Sequence, residues 1–206
     1  MKVIAGQYGG RVLKSVRGPG TRPLLGQVRE ALFEILGGRL EDALVWDLFA
    51  GTGASGIEAL SRGARRVLFV EKNNRALGVL EENLKLLGEE GQKAGFVVRG
   101  DAWDPATLTE NAETAEPPNV VFLDPPYSMV AEDPVRSVYR AGQILGCTAP
   151  GGILAFHFME GLLQEDDFDP RMRVDIRHWG NSGIAFVELA GVVVVADTKS
   201  TESPAT

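Results

Sequence analysis

The spacing of hydrophobic positions changes along the chain, and each change marks a different element. Val28, Ala31, Leu32, Ile35 and Leu36 recur at i, i+3, i+4, i+7 and i+8, which predicts a helix with a single apolar stripe, ended by Gly37 and Gly38. Downstream, short apolar runs predict strands at 43–48, 66–71, 95–99, 120–123 and 152–158. Helical spacing falls between them near 56–62, 74–87 and 134–145, the last opened by Asp133 as a cap with Pro134 behind it. Strands that alternate with helices imply a mostly parallel sheet covered on both faces. Two more strands, 173–178 and 184–195, have no helix between them and predict an antiparallel hairpin at one edge. Ahead of this α/β unit, residues 2–13 read as two short strands around glycine-rich turns. The expected organisation is an N-terminal β-hairpin and helix (1–40), a main domain (41–196) and a polar, frayed tail (197–206), with an exposed acidic loop at 110–118.

Composition narrows the class. Of the 206 residues 44% are hydrophobic and 24% charged, which suits a folded domain and excludes a disordered or fibrous chain. The longest apolar run, 190–196, is far shorter than a membrane helix needs, and the first ten residues lack a secretory core. One cysteine and two histidines argue against disulfides, a zinc site or a histidine-based triad, so a cytoplasmic protein without a metal is expected. The net charge of −7 alone argues against nucleic acid. Its distribution reverses that: residues 1–39 carry seven basic and two acidic side chains, and the remainder 14 basic and 26 acidic. Arg11, Lys14, Arg17 and Arg22 are therefore candidate contacts to RNA phosphates, against the plainer reading of an uncommitted basic arm.

The first strand of the main domain runs into Asp47-Leu-Phe-Ala-Gly-Thr-Gly-Ala-Ser-Gly56. Gly51, Gly53 and Gly56 satisfy G-x-G-x-x-G, and Glu71 closes the next strand, where an acid can accept both hydroxyls of a ribose. The pattern fits an adenosine-containing ligand, NAD included, or no more than a tight strand-to-helix turn. Asp47 beside the loop would repel a pyrophosphate and attract an ammonium, which favours S-adenosylmethionine. Asp101, at the end of the third strand, is placed to receive the adenine amino group, with the Ala102 N–H facing a ring nitrogen.

The fourth strand delivers Asp124-Pro125-Pro126-Tyr127 at its carboxyl end, where open α/β sheets bind ligands. Two prolines remove two N–H donors and stiffen the turn, so the Pro125 carbonyl can join the Asp124 carboxylate in gripping an exocyclic amine. Holding both N–H bonds frees the nitrogen lone pair for attack on a methyl sulfonium, and Asp124 can take the proton that is shed. Tyr127 offers a face for the base, which must be single-stranded or flipped out.

Together these segments resemble the amino-methyltransferase branch of class I S-adenosylmethionine enzymes. Val3-Ile-Ala-Gly6, Gly10-Arg11, Thr21-Arg-Pro23 and Val28-Arg-Glu-Ala-Leu-Phe-Glu-Ile-Leu36 narrow the resemblance to the RsmD family, 16S ribosomal RNA (guanine-N2)-methyltransferases, over nearly the full length to about Val195. The resemblance implies a Rossmann-like, seven-stranded, mostly parallel sheet ending in an antiparallel hairpin. It also implies a monomer that uses S-adenosylmethionine and no metal to methylate one guanine of 16S rRNA within the small subunit. It adds Phe49 and Thr52 to the cofactor contacts and gives Asp124 a share in both cofactor and substrate. The chain departs from the family pattern at Leu24-Leu-Gly-Gln27, where threonine, aspartate and arginine are usual, and at Trp179 and Ser182, where tyrosine and threonine are common. None of these is expected to touch the chemical centre. The residues alone also allow an adenine-N6 methyltransferase or a nucleotide-binding dehydrogenase.

Overall fold

The computed structural model describes residues 1–16, 26–104, 107–108 and 116–191. A seven-stranded sheet runs through the molecule: β1 (Leu44–Leu48), β2 (Arg66–Glu71), β3 (Gly95–Arg99), β4 (Val120–Leu123), β5 (Ile153–Met159), β6 (Met172–Trp179) and β7 (Ser182–Leu189), in the order β3-β2-β1-β4-β5-β7-β6. The first five strands are parallel, while β7 runs antiparallel to both β5 and β6. The helices are α1 (Gly26–Leu36), α2 (Ala54–Ser61), α3 (Asn74–Lys85), α4 (Gly88–Ala94), α5 (Tyr127–Glu132) and α6 (Pro134–Leu145).

Central strands covered on both sides lose polar/apolar alternation, which is why β1, β2 and β4 read as nearly continuous apolar runs. The alternation survives in which face each side chain serves. Val45, Val67, Phe69, Phe122 and Ile184 pack beneath α1, α2 and α3, whereas Trp46, Leu68, Val121, Leu154 and Phe156 pack against α6. Asn73 caps α3 through the N–H groups of Arg75 and Ala76, and Asp133 caps α6 through that of Arg136, with Pro134 in the first turn as the sequence predicts.

Several elements differ from the sequence expectation. Helix α3 ends at Lys85, and α4, not anticipated, starts at Gly88, whose φ of +78° breaks the helical run. Helix α5, also unanticipated, starts directly behind the prolines of the Asp124 segment. In α1 the apolar stripe is rotated: Val28, Leu32, Phe33 and Leu36 are buried, while Ile35 is exposed. Gly37 and Gly38 end the α-helix by tightening into a 3₁₀ turn, Gly37–Leu40.

The N-terminal segment pairs only through a Lys2–Val12 bridge rather than as two strands. The N–H groups of Val3, Gly10 and Leu13 bond to carbonyls within the segment, while those of Ile4, Ala5, Tyr8 and Lys14 go to side chains of the main domain. The buried Glu58 carboxylate of α2 accepts from Ile4 N–H (2.6 Å) and Ala5 N–H (3.1 Å), and Ser61 Oγ accepts from Tyr8 N–H (2.9 Å). Gly6 approaches so closely that a Cβ there would lie 1.7 Å from the Ser61 carbonyl oxygen, which explains a glycine at this point of the segment. Val3, Tyr8 and Leu13 join the core under α1, α2 and α3, so residues 1–16 are packed against the sheet domain. The residues beyond 191, including the expected tail, and most of the 110–118 loop lie outside the described residues.

Candidate active site

The carboxyl ends of β1 and β4 meet, because Leu48 pairs with Leu123 and the Asp124 N–H donates to the Leu48 carbonyl at 3.3 Å. The glycine loop leaving β1 and the Asp124-Pro125-Pro126-Tyr127 segment leaving β4 are therefore neighbours. A small cleft lined by Leu44, Trp46, Arg66 and Phe96 lies at the opposite, amino-terminal end of these strands, away from this chemistry.

The three glycines do different work. Gly51 has φ +56° and a Cβ there would meet nothing nearer than the Phe49 carbonyl oxygen at 4.0 Å, so the space over it is open. A Cβ at Gly53 or Gly56 would lie 2.2 Å from Leu80 or Phe69, so these two let α2 sit close to β2 and α3. Phe49 itself is left-handed (φ +61°) and packs edge-on against Trp103, with ring centroids 5.4 Å apart. Thr52 offers its carbonyl to the buried Asn83 amide at 2.9 Å. The same amide group binds the Lys14 N–H (2.8 Å) and carbonyl (3.1 Å), which ties the N-terminal segment to the glycine loop.

Asp47 and Glu71 contact this loop, and the charge of Asp124 reaches it. Asp47 is 2% exposed and accepts from the Gly56 N–H at 2.8 Å, bracing the first turn of α2. Burial pushes its carboxyl up to about 8; the Gly56 hydrogen bond opposes that, and the charges of Asp124 and Glu71 add to it. Glu71 accepts from the N–H groups of Gly51 (2.9 Å), Lys72 (2.8 Å) and Asn73 (2.7 Å), so it stands against the loop at the end of β2. At the end of β3, Asp101 is exposed and accepts from the Trp103 N–H at 3.0 Å, while Ala102 is buried.

The chemical segment has partners that the sequence did not suggest. The Asp124 Oδ1 lies 2.6 Å from Nδ1 of His157, whose Nε2 lies 2.9 Å from the Tyr127 hydroxyl, and that hydroxyl is 2.9 Å from Ser182 Oγ. The register explains the first contact: Leu123 pairs with Phe156, so the next residues on β4 and β5 are Asp124 and His157. A lone histidine in the otherwise apolar run Ile-Leu-Ala-Phe-His-Phe-Met, one position past the end of the β4 pairing, was the available signal. Ser182 opens β7 opposite Met159 and reaches the chemical centre, which corrects the expectation that the departure at this position stays clear of it. Pro125 is buried and Pro126 stands at the start of α5.

The basic residues of the N-terminus are less free than their charges suggest. Arg29 is 3% exposed and donates to the Lys2 carbonyl, Arg39 pairs with Glu188 (2.6 Å), and Lys14 pairs with Glu82 (2.8 Å). Arg11 remains exposed, its guanidinium 4.9 Å from the centre of the Tyr8 ring. Arg17 and Arg22 lie outside the described residues. Among the described residues no helix is long and apolar enough to cross a membrane, and no three metal-type side chains converge.

The family model described as Conserved hypothetical protein 95 matches residues 1–155, three quarters of the chain. The chain belongs to this family, the RsmD family. "Putative rRNA methyltransferase YlbH" of Bacillus subtilis is 41% identical over 127 residues, 62% of this chain and 67% of that protein. "Ribosomal RNA small subunit methyltransferase D" of Escherichia coli K12 is 39% identical over 129 residues, again 62% of this chain and 60% of that protein. The matches thus span about 60–67% of these relatives' length. Among solved structures, "Putative methyltransferase yhhF from Escherichia coli" superposes with a TM-score of 0.73 at 27% identity, covering 92% of this chain and 98% of that one. The RsmD family chain therefore has the class I methyltransferase fold, its terminal β6–β7 hairpin included.

Proposed function

We propose that this RsmD family protein transfers a methyl group from S-adenosylmethionine to the exocyclic N2 of a guanine in 16S ribosomal RNA of the small subunit. The observation that carries the reading is the meeting of the Asp124 segment with a glycine loop ringed by Asp47, Glu71 and Asp124. The charges of Glu71 and Asp124 across one loop repel a pyrophosphate, and the raised Asp47 carboxyl can ionise against a ligand bearing positive charge, which separates S-adenosylmethionine from NAD.

The residues present fit that cofactor. Open space over Gly51 admits a ligand against the backbone, Glu71 faces the ribose position, and Asp101 with Ala102 lies at the adenine end of β3. Phe49, Thr52 and Gly53 shape the loop between them. When bound, S-adenosylmethionine supplies an electrophilic methyl: the N–CH₃ bond forms as the S–CH₃ bond breaks, and sulfur keeps the electron pair. The protein's share is to hold the amine. Asp124 and the Pro125 carbonyl accept its two N–H bonds, Pro126 keeps the turn rigid, and Tyr127 stacks on the base. Asp124 then receives the proton that the nitrogen loses.

Residues 1–40 serve as the RNA-binding extension and 41–196 as the methyltransferase domain, with Arg11 and Lys14, joined by Arg17 and Arg22, against the RNA backbone. The names of the relatives support RNA as the substrate. The test offers methyl-labelled S-adenosylmethionine with unmethylated small subunits, naked ribosomal RNA and DNA, followed by digestion to nucleosides. N2-methylguanosine that disappears with Asp124→Ala is the expected product. N6-methyladenosine as the only product would move the chain to adenine chemistry, and tighter binding of NAD than of S-adenosylhomocysteine would refute methyl transfer altogether.

A further inference from the structure

We infer that His157 is a positioning residue, locked as its Nδ1–H tautomer by a hydroxyl chain through Tyr127 and Ser182, and that it turns Asp124 so that Oδ2 faces the substrate amine. The inference deepens the guanine-N2 reading and rests on it.

The direction of every bond in the chain follows from one charge. An ionised Asp124 can only accept, so the hydrogen in the 2.6 Å contact belongs to His157 Nδ1. A neutral imidazole then has its lone pair on Nε2, and the Tyr127 hydroxyl must donate to it at 2.9 Å. The phenol oxygen in turn accepts from Ser182 Oγ–H at 2.9 Å. His157 is 5% exposed and Ser182 4%, so water does not compete freely for these positions.

Two consequences bear on the reaction. Asp124 Oδ1 is committed to the imidazole, and among the described residues the carboxylate's hydrogen-bond partner is His157, which leaves Oδ2 to receive the amine N–H and then its proton. The resulting neutral acid still accepts the Nδ1–H at Oδ1, so the chain survives the step. The proton can return to solvent because the Asp124 side chain is 33% exposed. Tyr127 is held by its hydroxyl, with its ring centre 5.2 Å from that of His157, which fixes the stacking face at the same time.

A second proton on the imidazole reverses the chain. Nε2–H would have to donate to the phenol oxygen, and Tyr127 would turn its hydrogen to Ser182. The groups facing His157 are Asp124 just past β4, Tyr127 from α5 and Ile184 from β7; Ser182 reaches it through Tyr127, and Asp47 acts on it through Asp124.

The first test needs no reaction. In the full chain labelled with ¹⁵N-histidine, long-range ¹H–¹⁵N spectra at neutral pH should show His157 as the Nδ1–H form, with His178 assigned by His178→Gln. An Nε2–H form overturns the proposal. The second test uses two amides of different reach: asparagine sets its nitrogen near the Nδ1 position, glutamine near Nε2. His157→Asn should keep kcat within about threefold, while His157→Gln loses about tenfold in kcat. Binding of S-adenosylhomocysteine and the KM for RNA should stay near wild type in both. Equal kcat in wild type and His157→Gln, or cofactor affinity falling in step with kcat, overturns the positioning role. Should either variant fail to fold, the tautomer in the unsubstituted protein decides. A wild-type protein with the Nδ1–H form but no guanine methylation refutes the functional reading alone. Methylation unaffected by His157→Gln refutes the positioning role alone.

Discussion

Asp47→Asn should make the protein more stable and bind its cofactor less well, and both effects should depend on pH. The Asp47 carboxyl is 2% exposed and its value stands at about 8, mainly because burial penalises the charged form, against 3.8 ordinarily. A carboxyl raised on folding contributes stability that is complete below its unfolded value and is lost as pH climbs through the folded one. The loss therefore runs between about pH 4 and pH 8, and at pH 7 the ceiling is about 4 kcal/mol. Water reaching the open loop lowers that figure; half of it, about 2 kcal/mol, is roughly 4–8 °C in Tm for a chain of this size. Asparagine keeps an oxygen for the Gly56 N–H and cannot ionise. Thermal denaturation by circular dichroism, without ligand, should show the variant and wild type converging near pH 4 to 5 and the variant's advantage growing to pH 8.5. Calorimetry of S-adenosylhomocysteine in two buffers of different ionisation enthalpy supplies the other half. At pH 7 the ligand's ammonium should ionise Asp47 and release protons in wild type, and the variant should release fewer and bind more weakly. A Tm gap that does not change with pH, or equal affinity and proton release in both proteins, would refute the reasoning.

Gly51→Ala should abolish cofactor binding and cost about 1 kcal/mol for an alanine held at φ +56°, whereas Gly56→Ala, whose Cβ would lie 2.2 Å from the Phe69 ring, should cost about 1–3 kcal/mol and spare the open face of the loop; paired melts and calorimetry separate the two. Glu58→Ala strips the partner from the Ile4 and Ala5 N–H groups and from Arg62 (2.9 Å), so it should lower stability by about 2–4 kcal/mol and speed amide exchange first in residues 1–16. Arg11→Ala should reduce the slope of log affinity against log salt for RNA by about one while leaving S-adenosylhomocysteine binding intact; an unchanged slope removes Arg11 from the phosphate contacts.

The parts of the molecule that could be read from sequence are those set by local patterning. The β2, β3, β4 and α6 boundaries follow from apolar runs and from the Asp133-Pro134 start, because there the chain's own spacing and capping decide the outcome. Helix α5 escaped because Pro125 and Pro126 look like a loop when read forward, although a proline is compatible with a helix start. Ile35 was assigned to the core on spacing alone. In the fold the α1 face turns toward Phe33 and Arg29, since Arg29 is drawn inward to the Lys2 carbonyl.

The site divides along the same line. Gly51, Glu71 and Asp124 announce themselves because the chemistry needs those residue types at strand ends, and the parallel sheet brings strand ends together without further instruction. His157 and Ser182 could not be found that way: they sit 33 and 58 positions from Asp124, and only the β4–β5 and β5–β7 registers make them neighbours. The same holds for Asn83, which grips Lys14 from α3 and joins the N-terminal segment to Thr52 of the glycine loop. A single buried amide holding both the N-terminal segment and the glycine loop means that order in one favours order in the other. Loss of Asn83 should thus weaken RNA and cofactor binding together, where loss of Arg11 touches RNA alone.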